Sequence, residues 1–275
     1  MGRDTFDIIV LIGRPASGKS EIIDFLAHAP SDTRRKCRIA DLDVIDDFPM
    51  LWTWFEEDRI LSERLGQQRI YADAEGYFKH HYLWHLLIER ISLEYYKRLR
   101  DDPAYHDTTT TMIEFARGSV HGGYTEAFLH LSDAILRRAC VMYVHVPFEE
   151  SLRKNRRRFN PERPDSILEH ALPDEKLRRV YQHDDWTTFS ADDPEFLTVR
   201  SIRVPYVVFE NEDDVTTGAP DRLSTRLETT LERLWKLQRA RQEGEARTLD
   251  QRPLSARSTN PAQAAACVTV PSDPL

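Results

Sequence analysis

The run from Gly13 to Ser20 constrains this chain more than any other part of its sequence. It reads Gly-Arg-Pro-Ala-Ser-Gly-Lys-Ser, which satisfies the pattern G-x-x-x-x-G-K-S/T. The glycines let the backbone curl until several N–H groups face one anion, and a following helix directs its positive end to the same place. An apolar segment at residues 6–12 precedes the run and a helical pattern at residues 20–29 follows it. We therefore expect a phosphate-binding loop; the alternative is an ordinary turn rich in Gly, Pro and Ser.

Each residue of this loop is a candidate for contact with the phosphates of a nucleotide. Lys19 is expected to reach the β- and γ-phosphates, and the hydroxyl of Ser20 is expected to bind Mg²⁺. The predicted ligands are a nucleoside triphosphate and Mg²⁺. The candidate nucleotide-binding residues are Gly13, Arg14, Pro15, Ala16, Ser17, Gly18, Lys19 and Ser20.

Short apolar segments alternate with helical patterns along the chain. Such alternation is typical of an α/β fold with a mainly parallel sheet and helices on both faces. We expect five strands, at residues 6–12, 37–42, 109–115, 141–146 and 204–209.

Two inserts interrupt the alternation, and a tail follows it. The first insert, residues 46–106, is helical in pattern and contains three of the five tryptophans; a lid is expected within residues 153–200. One domain is expected over residues 1–240. Residues 241–275 hold no aromatic side chain and four prolines, which predicts disorder.

Composition excludes several classes of protein. The net charge is 38 minus 46, or −8, so nucleic acid is an improbable partner. No apolar run approaches the ~18–20 residues of a membrane span, and the polar residues 1–7 are unlike a secretory signal. The three cysteines, Cys37, Cys140 and Cys267, have no metal-ligand spacing. These features favour a reduced, cytoplasmic protein of open oligomeric state, without disulfides.

Charged residues follow the predicted second and third strands. Asp41 and Asp43 close the second, with Asp46 and Asp47 just after, and the third ends near Glu114 and Arg117. Ligands of open α/β sheets bind at the carboxyl ends of strands. In this respect the chain resembles the small P-loop kinases, a superfamily that includes shikimate, gluconate, adenylylsulfate and nucleoside kinases.

The resemblance implies roles for these residues. Asp43 would orient or deprotonate an acceptor hydroxyl, Asp41 would contact Mg²⁺ through water, and Glu114 would occupy a Walker B position near the metal. The alternative for the aspartates is a polar strand end that caps the next helix. Arg117 would pair with Glu114 or bind an anionic acceptor in catalysis, and a purely structural ion pair is equally compatible with the sequence.

Residues 153–158 hold five basic side chains in six positions. In the kinases that the chain resembles, a mobile lid carries arginines that neutralise the charge of the transferred phosphoryl group. Arg153 and Arg157 share a helix face and are the preferred catalytic candidates, with Arg156 and Arg158 left open. The alternative is a solvated basic face.

The first insert would form the acceptor pocket. Its aromatic residues would stack a planar or sugar-like acceptor or simply pack helices together. His81 and His85 have the spacing of two metal ligands, but the sequence indicates no third ligand. No N-K-x-D motif accompanies the fifth strand, so ATP is preferred over GTP.

The first hypothesis is accordingly an ATP-dependent kinase that phosphorylates a small sugar-like or nucleoside or nucleotide acceptor. The alternatives are a non-kinase NTPase that switches a partner interaction, and a nucleotide-binding interaction protein with vestigial catalysis.

Overall fold

The computed structural model describes residues 4–158 and 171–250, with side chains as far as residue 246. Contacts divide the chain into two units, Met1–Gln238 and Arg239–Leu275. The first unit holds the sheet, and the described part of the second is helical. Residues 241–250 are thus helical where a disordered tail was expected, and residues 251–275 lie outside the described part of the chain.

A six-stranded sheet forms the centre of the first unit. Its strands are β1 (Ile8–Gly13), β2 (Asp41–Asp46), β3 (Thr109–Phe115), β4 (Ala139–His145), β5 (Phe196–Val199) and β6 (Ile202–Glu210). The order is β2-β3-β1-β4-β6-β5, parallel except for β5, which pairs antiparallel with β6. The expected α/β fold with a mainly parallel sheet is confirmed. The count of five strands was wrong, because the short β5 lies in a charged segment that was assigned to the lid.

Helices pack on both faces of this sheet. They are α1 (Lys19–His28), α2 (Ser31–Lys36), α3 (Asp47–Glu63), α4 (Tyr82–Asp101), α5 (Gly123–Leu129), α6 (Asp133–Leu136), α7 (Phe148–Arg158), α8 (Asp174–Tyr181), α9 (Trp186–Phe189) and α10 (Pro220–Asp250). Within the described residues, no helix combines the length and the apolarity that a membrane span requires.

The central strand β1 shows why both faces are covered. Its residues are fully buried, and they alternate between two apolar cores. Ile8, Val10 and Ile12 pack with α4, α5 and α6, whereas Ile9 and Leu11 pack with α1 and α10. This burial on two sides explains why β1 reads as an uninterrupted apolar run, as buried parallel strands do.

Strand β2 lies later in the sequence than expected, at Asp41–Asp46 instead of residues 37–42. It is an edge strand with only one buried residue, Ile45, so its apolar signal is weak. Asp46 pairs in register with Glu114 at the carboxyl end of the sheet, whereas Asp41 pairs with Thr109 at the opposite end. The shift changes which aspartate reaches the edge where ligands bind.

The insert between β2 and β3 contains the two long helices α3 and α4. The loop between them is held by the buried carboxylate of Asp58, which accepts hydrogen bonds from the backbone N–H groups of Ile70, Tyr71 and Ala72. Tyr71 in turn stacks on Trp54 of α3, with ring centroids 4.9 Å apart. These two rings belong to one apolar cluster with Phe78 and Trp84.

Candidate functional site

The phosphate-binding loop connects β1 to α1 and is packed too tightly for side chains at its two glycines. A Cβ on Gly13 would lie 2.6 Å from the carbonyl oxygen of Val144 in β4, and one on Gly18 would lie 2.5 Å from Nδ2 of Asn211. Both glycines also have positive φ, +155° and +109°. Asn211 donates a hydrogen bond of 2.7 Å to the carbonyl of Ser17. Asn211 therefore fixes the loop from outside it, a role that no sequence pattern indicated.

The side chain of Arg14 points away from the centre of the loop. It donates to the carbonyl oxygens of Val146 and Tyr181, each at 3.2 Å, and forms an ion pair of 2.9 Å with Asp184. Arg14 thus ties the loop to the residue that follows β4 and to the end of α8, and these contacts engage its guanidinium group.

Lys19 and Glu114 meet at the base of the loop. The buried ammonium group of Lys19 donates to the carbonyl oxygens of Gly13 at 3.1 Å and Arg14 at 2.9 Å, and it lies 3.8 Å from the Glu114 carboxylate. Burial lowers the pKa of Lys19 and raises the pKa of Glu114, because both charged forms lose hydration. The structure therefore brings these two predicted site residues together.

Asp46 lies beside them, at the carboxyl end of β2. One of its carboxylate oxygens accepts a hydrogen bond of 2.9 Å from the backbone N–H of Phe48 and caps helix α3. Burial, with the nearby charges of Glu114 and Asp47, raises the pKa of Asp46 to about 8. The surroundings of Asp46 therefore favour the protonated form of its carboxyl group.

Arg117 forms a buried ion pair with Asp47, the residue that follows Asp46 in the sequence. The distance between Nη1 of Arg117 and Oδ2 of Asp47 is 2.6 Å, and the guanidinium group also lies 5.2 Å from the ring centroid of Trp84. The expected pair between Arg117 and Glu114 does not form, because Glu114 faces Lys19 instead. A structural ion pair was one of the alternatives that the sequence left open for Arg117. The structure contains such a pair, but its partner is Asp47 instead of Glu114.

These groups line a cavity of about 200 Å³ beside the loop. The residues that surround it are Pro15, Ala16, Gly18, Lys19, Ser20, Glu21, Asp46, Asp47, Phe48, Pro49, Leu51, Trp84, Glu114, Phe115, Ala116, Arg117, Asn155, Arg158, Leu172 and Tyr181. Carboxylate and hydroxyl oxygens therefore line the same cavity as cationic side chains.

Of the four arginines of α7, Arg158 is the one that lines this cavity. Arg153 and Arg157, the preferred candidates, are half exposed and pair with Asp214, while Arg156 pairs with Asp174. Arg158, one of the alternatives left open, is thus the arginine of α7 that reaches the cavity, whereas the preferred face points to the loop after β6. The rest of the expected lid has two described helices, α8 and α9, and its residues 159–170 lie outside the described part of the chain.

Asp41 and Asp43 lie away from the cavity, which corrects their expected roles. Asp43 stands three residues before Asp46, about 10 Å along the strand. Its carboxylate accepts hydrogen bonds from Arg98 in α4 and from the hydroxyl of Tyr105. Asp41, at the start of the strand, forms an ion pair with Arg34. The structure therefore gives Asp43 a packing role between β2 and α4.

This correction predicts that Asp43→Asn will destabilise the protein without affecting phosphate chemistry. Loss of the charged hydrogen bonds to Arg98 and Tyr105 should lower the free energy of unfolding by about 1–2 kcal/mol. Denaturant unfolding measures this change, and Asp101→Asn, at an exposed pair with Arg100, is the matched control. Unchanged stability with a tenfold loss of nucleotide turnover would return Asp43 to the active site.

A second cavity, of about 360 Å³, adjoins the first. The two cavities share Phe48, Leu51, Trp84, Leu172 and Tyr181. The second is also lined by Phe55, Tyr77, Phe78, His81, His121, Lys176 and Arg179, among others. Its walls combine aromatic rings with cationic side chains.

His121 is a polar group buried at this aromatic wall. Its ring stacks on Trp84 with centroids 3.6 Å apart, and its Nδ1 has no hydrogen-bond partner among the described residues. Burial lowers the pKa of His121 to about 3, so the imidazole is neutral. Lys176 and Arg179 both lie over the ring of Tyr77 on the same cavity. The cavity therefore suits a flat or apolar molecule that carries a negative group.

No family model matches the chain, and no curated protein matches it. Among solved structures, it is similar to a sugar kinase from Janibacter sp. HTCC2649, with 13% identity, a TM-score of 0.41 and coverage of 82% of this chain and 95% of that one. It is also similar to shikimate kinase from Acinetobacter baumannii in complex with shikimate, with 14% identity, a TM-score of 0.38 and coverage of 82% and 92%. Kinases thus stand among the similar structures.

Proposed function

We propose that the protein is an ATP-dependent phosphotransferase that moves the γ-phosphate to a hydroxyl or phosphate group of a small molecule. The observation that carries this proposal is the convergence of Lys19, Asp46, Glu114 and Arg117 on one cavity at the phosphate-binding loop. Transfer of a phosphoryl group requires positioned cations, oxygen ligands for a metal ion and a carboxylate near the nucleophile, and side chains of these three kinds line the cavity.

The donor set suits magnesium bound with the nucleotide. The hydroxyl of Ser20 and the carboxylate of Glu114 are hard oxygen ligands on one cavity. Burial raises the pKa of the Glu114 carboxyl, and a bound cation would favour its charged form. We assign Ser20 and Glu114 to hold the ion. When bound, Mg²⁺ would neutralise charge on the β- and γ-phosphates.

Asp46 is the proposed base. The acceptor oxygen forms a bond to the γ-phosphorus while the bond from that phosphorus to the bridging oxygen of ADP breaks, and the acceptor proton passes to the Asp46 carboxylate. A base with a pKa near the working pH combines availability with driving force. Lys19 and Arg158 would stabilise the phosphoryl group, and Arg117 would position the acceptor side through Asp47 and Trp84.

The second cavity is the proposed acceptor site because it opens beside Asp46 through shared residues. Its aromatic walls would bind a flat or apolar body, and Lys176 and Arg179 would attract a negative group. The neutral His121 would contribute a hydrogen bond. Phosphorylated or carboxylated small molecules are therefore the first acceptors to test.

Acceptor-dependent ADP formation tests the proposal. The protein, Mg·ATP and one candidate at a time would be followed by release of ADP and by mass spectrometry of the candidate. We expect turnover that requires a specific acceptor, together with a product heavier by one phosphoryl group. Trp84→Ala should raise the KM of that acceptor about tenfold or more through lost stacking, with a smaller effect on the KM of ATP.

Trp52→Ala is the matched control, because Trp52 lies outside both cavities and hydrogen-bonds to Glu56 on the surface of α3. Steady release of inorganic phosphate from ATP, with no acceptor modified across the anionic set, would overturn the kinase proposal in favour of an NTPase.

A further inference from the structure

Two histidines and one glutamate come together beside the aromatic cavity. His81 and His85 stand one turn apart at the start of α4, and Glu126 reaches them from α5. Nε2 of His85 lies 2.8 Å from Oε2 of Glu126, and Nε2 of His81 lies 3.8 Å from the same oxygen. One ligand atom from each side chain lies within 4.8 Å of the others. Glu126 thus adds a third potential donor to the two histidines, which the spacing of the histidines alone did not indicate.

The spacing is close to that of a metal site. An ion about 2 Å from each donor holds the donors about 3–4 Å apart, so the group needs to contract by about 1 Å. His81 and Glu126 are each nearly half exposed, so both can make this movement without disturbing the core. Two imidazoles and a carboxylate favour a borderline transition ion such as Zn²⁺ over Mg²⁺.

Neighbouring groups fix the cluster from two sides. His130 stacks on the ring of His85, with centroids 4.3 Å apart, and hydrogen-bonds to Glu89 at 2.9 Å. Gly122 has a φ of +79°, and a side chain there would occupy the space taken by the Glu126 carboxylate. The turn before α5 therefore lets Glu126 fold toward α4, and stacking limits the rotation of His85.

We propose that His81, His85 and Glu126 bind one divalent transition ion of the Zn²⁺ class. The ion would join α4 to α5 and leave one or more coordination positions for water or a ligand. His81 also lines the aromatic cavity, so the site lies at the rim of that cavity. The proposal does not depend on phosphotransfer, because none of its ligands contacts the phosphate-binding loop.

Zinc titration of the full chain, free of any affinity tag and stripped with a chelator, tests this site. Isothermal calorimetry should show one Zn²⁺ per chain, both in the natural chain and in Cys267→Ser, which removes the thiol outside the described residues. Groups that only hydrogen-bond to a metal ligand contribute about 10–100-fold to the affinity for the metal. Because His81 and Glu126 would be ligands themselves, His81→Ala and Glu126→Gln should each weaken Zn²⁺ binding by about 100-fold or more.

His28→Ala is the matched control, since His28 is an exposed histidine that pairs with Asp24 on α1. We expect it to bind Zn²⁺ like the natural chain, and the Co²⁺ form should absorb in the visible range without a thiolate charge-transfer band. Thermal unfolding of the stripped variants establishes that each is folded. Failure to bind Zn²⁺, or equal affinity in the folded His81→Ala and Glu126→Gln variants, would overturn the proposal.

Discussion

Lys19→Met should abolish productive nucleotide binding. The ammonium group of Lys19 donates hydrogen bonds to the carbonyl oxygens of Gly13 and Arg14 in the phosphate-binding loop. When a nucleotide binds, phosphate oxygens would replace these carbonyl oxygens as acceptors. Removal of one preorganised charge of this kind costs about 100–1,000-fold in turnover. We expect a loss of that size in kcat/KM for ATP, measured as ADP formation.

Binding can be measured independently of turnover. Mg·ATP at 100 times its Kd should stabilise the natural protein by about 2.7 kcal/mol and should have little effect on Lys19→Met. Lys36→Met is the control, because Lys36 is two-thirds exposed and forms a long surface pair with Glu228. Equal stabilisation of the natural protein and Lys19→Met by Mg·ATP would show that the loop does not bind the triphosphate, and every nucleotide-dependent proposal would then fail.

The loop and the sheet could be predicted because their signals are local. The pattern from Gly13 to Ser20 indicates the loop through adjacent residues alone, and β1 reads as buried because apolar residues face both cores. Neither pattern has to be read together with distant residues, although Asn211 also holds the loop in the folded chain. Accordingly, the parallel sheet, its first strand and the loop were all found from sequence.

The second strand shows where such signals fail. An edge strand needs few apolar residues, so the charged β2 was placed four residues too early, and the candidate base was sought at Asp43, whereas Asp46 is the residue of β2 that lines the cavity. A shift of this size along a strand moves a carboxylate from one end of the sheet toward the other. The sequence therefore predicted that a strand exists here, but it did not predict which residue ends β2 at the carboxyl edge of the sheet.

Groups that meet only in the folded chain were beyond local patterns altogether. Arg117 pairs with Asp47 across 70 positions of sequence, and His85 meets Glu126 across 41. A helical period assigned Arg153 and Arg157 to one face, correctly, yet it could not show that this face meets Asp214 instead of the cavity. Tertiary packing decides which face of a helix reaches a site.

Asp46→Asn should reduce phosphotransfer and stabilise the protein at once. Asparagine keeps an oxygen to accept the hydrogen bond from Phe48, so the cap of α3 survives. The base is lost, and the expected decrease in kcat is about 10²–10⁴-fold. Folding raises the pKa of the Asp46 carboxyl from 3.8 to about 8. Between these pH values the unfolded chain releases the Asp46 proton more readily than the folded chain, so Asp46 lowers the free energy of unfolding more and more as the pH rises.

The variant should therefore exceed the natural protein in stability by more than about 1 kcal/mol at pH 8, and the difference should shrink toward zero near pH 4. Denaturant unfolding across pH 4–8 measures it, with Asp24→Asn, at an exposed residue of α1, as the control. The opposite pH trend would mean that Asp46 is ionised and favourably paired in the free protein. Undiminished phosphotransfer in the stabilised variant would separate the two properties, and the base would then have to be sought at Asp47 or Glu114, two further carboxylates that line the cavity.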